Sequence, residues 1–304
     1  MGNPVSGQRY LLGMLCAAAG ALCWSLGGML VRLTSHIDGW QIIFFRSLTV
    51  LACMAVWLGA QYGRALPRVF HRAGANAVIA GIAIGAAGLA FIISLFYTTV
   101  AQAIFMTGLA PFLSAIMGYW ILRERISGIT WIAMAIALAG LAVMLIGAGS
   151  GGSLPGTLLA IYSAFCFSCY AVLLRWGKDC DMNTALAWNA LFLILATGIV
   201  LAADTPLRDA GALGRFSVGW MNAGIIVLMG AVQITLGLAL FTLGSRAVPA
   251  AQLSLVALIE PIVSPLWVWL VASELPPVWT FIGGGVIVFA IALQAIFAAR
   301  MRLS

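Results

Sequence analysis

Within an apolar run long enough to cross a bilayer, "QLSLVALIEPIVSPLWVWL" (252–270), a single carboxylate, Glu260, stands directly before a proline. An ionisable group at mid-membrane costs at least about 3 kcal/mol unless it faces water or a partner. The chemistry open to Glu260 is therefore narrow. It binds a substrate ammonium or carries a coupling proton in a wet cavity, or it serves as a neutral or paired acid that bridges helices. Arg46 is the only other charge set clearly within a predicted span rather than at its edge, six residues into the second span from its outer end. That depth lets its stem snorkel to the interface, which favours a structural role over carboxylate binding.

Other chemistries lack their parts. The two histidines, His36 and His71, fall in predicted loops and no aspartate lies mid-span, so a Ser-His pair, a metal site or a paired-aspartate protease has nothing to be built from. No Walker-type phosphate loop is present, so transport driven by ATP on this chain is not expected. Cys166-x-x-Cys169 has a redox or zinc spacing but no second ligand pair, and reads as two small apolar side chains. Neither an enzyme nor a cofactor nor a metal is expected.

The elements that must hold Glu260 follow from composition. Of 304 residues 63% are hydrophobic and 8% charged, too little polar surface to coat a water-soluble globule. Runs of about 20 apolar residues, the length of a membrane-crossing helix, occur near 10–31, 39–60, 74–97, 101–121, 128–147, 155–175, 183–203, 219–243, 250–271 and 278–298. The expected fold is an all-α membrane protein with ten transmembrane helices; the runs lack the alternation of barrel strands. Residues 10–31 exceed a signal-peptide core and nine spans follow, so they are read as an uncleaved first helix. The net charge of +7 does not point to nucleic acid. With ten spans, Arg9, Arg64, Arg68, Arg72, Arg123, Arg125, Arg175, Lys178, Arg246, Arg300 and Arg302 share one side, against Arg32, Arg208 and Arg215 on the other. The positive-inside rule then puts both termini in the cytoplasm.

The chain repeats itself. "AAAGALCWSLGGMLVR" (17–32) aligns with "AIYSAFCFSCYAVLLR" (160–175) at an offset of 143, matching Ser25 with Ser168 and Arg32 with Arg175. The same offset carries Asp38 onto Asp181. "AQAIFMTGLAPFLSAIMGYWILRER" (101–125) aligns with "AQLSLVALIEPIVSPLWVWLVASEL" (251–275) at an offset of 150, matching Gln102 with Gln252, Pro111 with Pro261, Ser114 with Ser264 and Glu124 with Glu274. Each half, 1–150 and 151–304, therefore holds five helices, joined by "GAGSGGSLPG" (147–156). Five is odd, so tandem copies must enter the membrane in opposite orientations, an inverted repeat with its site expected near mid-membrane between the halves. Pro111 and Pro261 recur and read as kink or gating positions. Ala110 occupies the place of Glu260, so the carboxylate is particular to one half. Small-residue faces at Gly81, Gly85 and Gly88, Ala133 and Ala137, and Gly283 to Gly285 read as helix contacts.

Five-plus-five spans, a Pro-x-x-Ser segment in the fourth and ninth, and a glutamate 13 residues after each proline resemble the EamA-type branch of the drug/metabolite transporter superfamily, over nearly the whole chain. Within it the chain resembles the YddG-type amino-acid exporters. The resemblance implies a ten-helix basket with the first, third, fourth, sixth, eighth and ninth helices around a central cavity. "SELPP" departs from the usual Glu-Arg ending after the ninth span, so Glu274 is expected to brace its turn differently from Glu124.

On those helices stand Trp24 and Ser25, with mates Phe167 and Ser168; Phe91, Ser94 and Tyr97 every third residue; Tyr162; and Gln233. Singly each reads as helix packing. Together with Glu260 they form a candidate pocket, aromatic-walled with hydroxyls and amides, suited to a small amphipathic or apolar solute rather than a sugar or nucleotide phosphate. The expected function is a secondary-active exporter of amino acids, aromatic or otherwise apolar, and related metabolites by alternating access. The rival readings are a channel, a lipid scramblase, or a carrier of a different solute. The expected partners are a small-molecule substrate and the lipid bilayer, without nucleic acid, and a monomer suffices. A single lysine among fifteen basic residues fits a GC-rich, bacterial genome and hence an inner membrane.

Overall fold

A computed structural model describes residues 7–35, 37–146, 153–203, 218–272 and 277–303, and its regular elements are helices. Glu274, Arg208, Arg215, His36, linker residues 147–152 and the side chains of Arg300 and Arg302 lie outside the described residues. The α-helices are α1 (Gly7–Arg32), α2 (Gly39–Tyr62), α3 (Leu66–Ser94), α4 (Val100–Thr107), α5 (Ala110–Leu122), α6 (Gly128–Ile146), α7 (Leu154–Trp176), α8 (Thr184–Ala202), α9 (Trp220–Leu228), α10 (Gly237–Ser245), α11 (Ala250–Ala257), α12 (Ile259–Ala272) and α13 (Val278–Leu303). A 3-10 turn, Gly63–Ala65, joins α2 to α3, and a π-helical segment, Met229–Leu236, joins α9 to α10.

Among the described residues nine stretches are long and apolar enough to cross a membrane, where the sequence predicts ten. The difference is the junction after Tyr62. Gly39–Ser94 forms one 56-residue stretch because the connection that carries Arg64, Arg68 and Arg72 is itself helical, α2 passing through the 3-10 turn into α3. Gly63 (φ 49°) and Gly74 (φ 56°) sit in the left-handed region that glycine enters at no steric cost, and they break the stretch on either side of Leu66–Ala73. The third predicted span, 74–97, thus begins earlier, at Leu66, and ends earlier, at Ser94.

Cross-helix bonds show which helix ends lie together. Tyr10 at the start of α1 donates to Gln252 at the start of α11 (3.0 Å), and Gln294 near the end of α13 donates to Tyr10 (3.0 Å). Gln252 donates in turn to Thr130 at the start of α6 (3.2 Å). Tyr62 at the end of α2 donates to Asp181 before α8 (2.7 Å), and Arg175 at the end of α7 pairs with Glu124 after α5 (2.7 Å). This is the basic end of the bundle. At the opposite end Ser35 after α1 and Asn222 in the first turn of α9 bond each other, and Ser153 before α7 donates to the Tyr97 carbonyl (2.7 Å). Asp38 caps α2 in a reciprocal box with Gln41. Its repeat mate Asp181 holds the backbone and amide of Asn183 ahead of α8.

Laterally, α1 packs on α10, α11, α12 and the π segment; α2 on α8 and the π segment; α3 on α7 and α8; α5 on α7 and α11; and α6 on α13. Several contacts need glycine. A Cβ at Gly140 would stand 2.7 Å from the Gly283 carbonyl, and one at Gly81 would meet the Ala185 carbonyl at 2.5 Å. Gly88 and Gly285, expected on packing faces, have nothing within 4 Å of an added Cβ, because those faces turn away from neighbouring helices. Replacing Gly140 by Val therefore wedges α6 from α13 and is expected to cost about 1–3 kcal/mol. Thermal unfolding in detergent should show a lower midpoint for Gly140→Val and an unchanged one for Gly285→Val.

Candidate functional site

Both predicted prolines break their helices one turn upstream. Proline has no N–H and its ring collides with the carbonyl four residues back; α4 ends at Thr107, four residues before Pro111, and α11 ends at Ala257, four before Pro261. In the second half this places Glu260 in the first turn of the new helix, α12. Glu260 is half-buried and makes no hydrogen bond or ion pair with any described residue.

The face of α12 that carries Glu260 is turned to α1. Ser264, one turn on, lies 2.9 Å from where a Cβ at Gly28 would stand, and Trp267 donates its indole N–H to Ser25 Oγ (3.0 Å). Ser25 is fully buried and donates to the Leu22 carbonyl (2.6 Å). Beside it Trp24, 7% exposed, meets Phe241 (4.8 Å between centroids) and, edge-on, Phe167 (6.1 Å). Tyr170 stacks on Phe241 and shares a hydrogen bond with Thr242. Gln233 reaches α1 from the π segment: its Nε2 donates to the Trp24 carbonyl (3.4 Å) and its amide abuts Gly27. The structure thus gathers Trp24, Ser25, Gln233 and the Glu260 face about one stretch of α1.

The remaining predicted residues lie elsewhere. Phe91 is half-buried on α3 and Ser94 is fully buried, donating to the Phe91 carbonyl (2.6 Å). Tyr97 is not on the third helix as its spacing predicts; it lies in the turn after α3 with an exposed ring, since the helix ends at Ser94 and Thr99 then caps α4. Tyr162, on α7, is also exposed. Ser168 is fully buried and donates to the carbonyls of Ala164 (2.7 Å) and Ala110 (2.9 Å). Two open grooves of about 400 and 350 Å³ lie at helix ends, one by Trp120, Arg125 and Trp131, the other by Arg72, Asn76 and Trp176, and neither includes a predicted site residue.

Trp267 and Phe241 were not singled out from the sequence. Trp267 had a signal, seven residues after Glu260 and so on the same helical face. Phe241 had none, because its contact with Trp24 depends on how α10 crosses α1. The π segment had none either, although such segments recur at functional sites. At the basic end Arg175 also donates to the carbonyls of Ser245 (3.3 Å) and Arg246 (2.7 Å), and Arg246 lies 3.6 Å from Asp181.

The sequence profile of the EamA-like transporter family matches residues 11–146 and 154–296. The chain belongs to the EamA-like transporter family. The two matched stretches fall on the two halves, so each half bears the EamA pattern separately. An uncharacterized transporter of Vibrio cholerae serotype O1 (strain ATCC 39315 / El Tor Inaba N16961) is 25% identical over 300 residues, covering 95% of each chain. A solved crystal structure, described only as that of a protein, shares the fold with a TM-score of 0.76 at 18% identity, covering 95% of this chain and 98% of the other. This EamA protein is thus a multi-pass membrane transporter, and its relatives point away from an enzyme.

Trp24 and Tyr97 separate by burial. Trp24→Ala is expected to cost about 3–5 kcal/mol, as for other buried aromatics. Tyr97→Ala is expected to leave stability nearly unchanged, the comparison being made by thermal unfolding in one detergent.

Proposed function

We propose that this EamA-family chain is a secondary-active exporter of amino acids, aromatic or otherwise apolar, and related small metabolites. It works by alternating access in a bacterial inner membrane, with both termini cytoplasmic and the basic end inward. The observation that carries the reading is Glu260: an acid near the middle of a span, unpaired among the described residues, beside buried aromatics on α1. A structural acid needs a partner to offset its transfer cost; a substrate-binding or proton-carrying one needs to be unpaired.

Ten spans in two inverted repeats underlie this mechanism in our reading. Helix α2 ends and α3 begins at the basic end, as the Tyr62–Asp181 and Asn76–Leu173 bonds support, so each counts as a span. Contacts come in matched sets. The contact of α3 with α7 is mirrored by that of α10 and the π segment with α1, and the contact of α5 with α7 by that of α12 with α1.

The matched sets are not equally closed. Every residue from Ala250 to Val256 on α11 is buried, whereas none from Ile259 to Val268 on α12 is. Ser168 bonds the Ala110 carbonyl on α5, while its mate Ser25 bonds Leu22 and Trp267. That asymmetry fits a carrier shut at the basic end and open at the other, with the Glu124–Arg175 pair among the contacts that shut it.

The reading is tested in proteoliposomes with a labelled amino-acid panel. Saturable counterflow is expected, and Glu260→Gln should flatten its pH dependence; non-saturable flux would move the chain to the channel or scramblase class. For the closed end, Glu124→Gln in a background without the six native cysteines should speed maleimide labelling of a cysteine placed at Ser114. An unchanged labelling rate would show that the pair does not hold that end shut.

A further inference from the structure

Glu124 and Arg125 are neighbours in the chain with opposite surroundings. Arg123 ends α5 in the left-handed region (φ 55°) and turns the chain away from the helix axis. Glu124 is then held by Arg175 (2.7 Å), in a contact where both side chains are mostly covered. Arg125 is exposed and forms no hydrogen bond or ion pair with any described residue. It lines instead the open groove of about 400 Å³ between the last turns of α5 and the start of α6.

The walls of that groove follow from spacing. Ala115 and Tyr119, like Ile116 and Trp120, stand four residues apart and so lie one above the other on α5. Trp131 closes the other side from α6, its ring 6.1 Å from that of Phe112 on α5. Ala115 is buried, whereas Tyr119, Trp120 and Trp131 are exposed, the first two edge to face at 6.1 Å. Exposed Trp and Tyr settle where a bilayer passes from hydrocarbon to headgroups, since their rings are apolar and their N–H and O–H are polar. Arg125, at the basic end and beside these rings, is a cation at headgroup height. No acid is among the residues that line the groove, and the adjacent one, Glu124, is taken by Arg175. The second groove, by Arg72, is less one-sided, because Asp179 stands next to its lining residue Cys180.

A basic cleft between membrane helices at the positively charged end matches the headgroup of an anionic lipid. We propose that this groove is a docking site for an anionic phospholipid. Arg125 pairs with the phosphodiester through two of its N–H groups, the glycerol backbone lies between Trp120 and Trp131, and an acyl chain runs along Ile116. A zwitterionic lipid brings an ammonium to a rim that has no free carboxylate to receive it. The site depends on residence in a membrane and not on which solute the chain carries.

The purified full-length chain in detergent is mixed with dioctanoyl phosphatidylglycerol or dioctanoyl phosphatidylcholine, and bound lipid is counted by native mass spectrometry. Phosphatidylglycerol is expected to bind about fivefold tighter, and Arg125→Gln to abolish that preference with the thermal midpoint unchanged. Arg64→Gln, which removes an exposed charge of the same end outside the groove, is expected to leave the preference intact. Trp120→Ala is expected to weaken both lipids, since it removes a wall they share. Equal binding of the two lipids, wild-type binding by Arg125→Gln, or a loss in Arg64→Gln as large as in Arg125→Gln overturns the inference. Displacement of phosphatidylglycerol by an equal concentration of inorganic phosphate would assign the rim to a soluble anion. A dimer that Trp120→Ala dissociates, with no lipid retained, would give the groove to a second copy of the chain, and either result also overturns the lipid site.

Discussion

A proline in the middle of a membrane-crossing helix removes a backbone donor where neither water nor lipid can replace it, and the rest of this structure is arranged around two such places. At Pro111 and at Pro261 the ladder stops four residues upstream and restarts as a second short helix. Backbone carbonyls near the break then need partners from other spans. In the first half Ser168 supplies one to Ala110. In the second half the residue at that position is Glu260, and the matching serine, Ser25, is engaged with Leu22 and Trp267 instead. One backbone device thus sits beside a cross-span hydrogen bond in one half and beside an acid that bonds to no described residue in the other.

The polar groups follow the same division. Bonds that cross between spans concentrate at the basic end, where Tyr10, Gln252, Thr130 and Gln294 form a buried network and Glu124, Arg175, Arg246, Asp181 and Tyr62 form a partly exposed one. Surface ion pairs contribute little stability singly. Their value here is positional: they tie the ends of α2, α5, α7 and α10 to one another and to the turn before α8. Beyond the breaks the α1–α12 contact has fewer such ties among the described residues, and Glu260 bonds to none of them.

Glycine and small residues make this economical in space. Where α6 meets α13 and α3 meets α8, main chain approaches main chain, and helices associate by close contact because lipid provides no hydrophobic drive between them. Of the small residues that the sequence marked as packing faces, Gly81, Gly85, Gly140's partner Gly283 and Ala133 lie at contacts, while Gly88 and Gly285 do not. A small side chain permits close approach; only the neighbour's position decides whether it is used.

Membrane residence, helices as the spanning element, the two prolines with their breaks and the lone mid-span carboxylate were legible from the chain alone. Each depends on local composition or on the covalent chemistry of a few adjacent residues, which no fold can alter. The ten predicted spans do not match the helical stretches one to one, because the basic connection that hydropathy leaves between the second and third spans is itself helical and joins α2 to α3. The environment of Glu260 was not legible. The Trp267–Ser25 bond joins residues 242 apart, the Gln233–Trp24 bond residues 209 apart, and Tyr97 left the site because a helix ended three residues before it. Which acceptors remain unused is a property of the finished bundle, since a hydrogen bond is satisfied by whatever stands within about 3 Å, and that is decided only when distant helices pack.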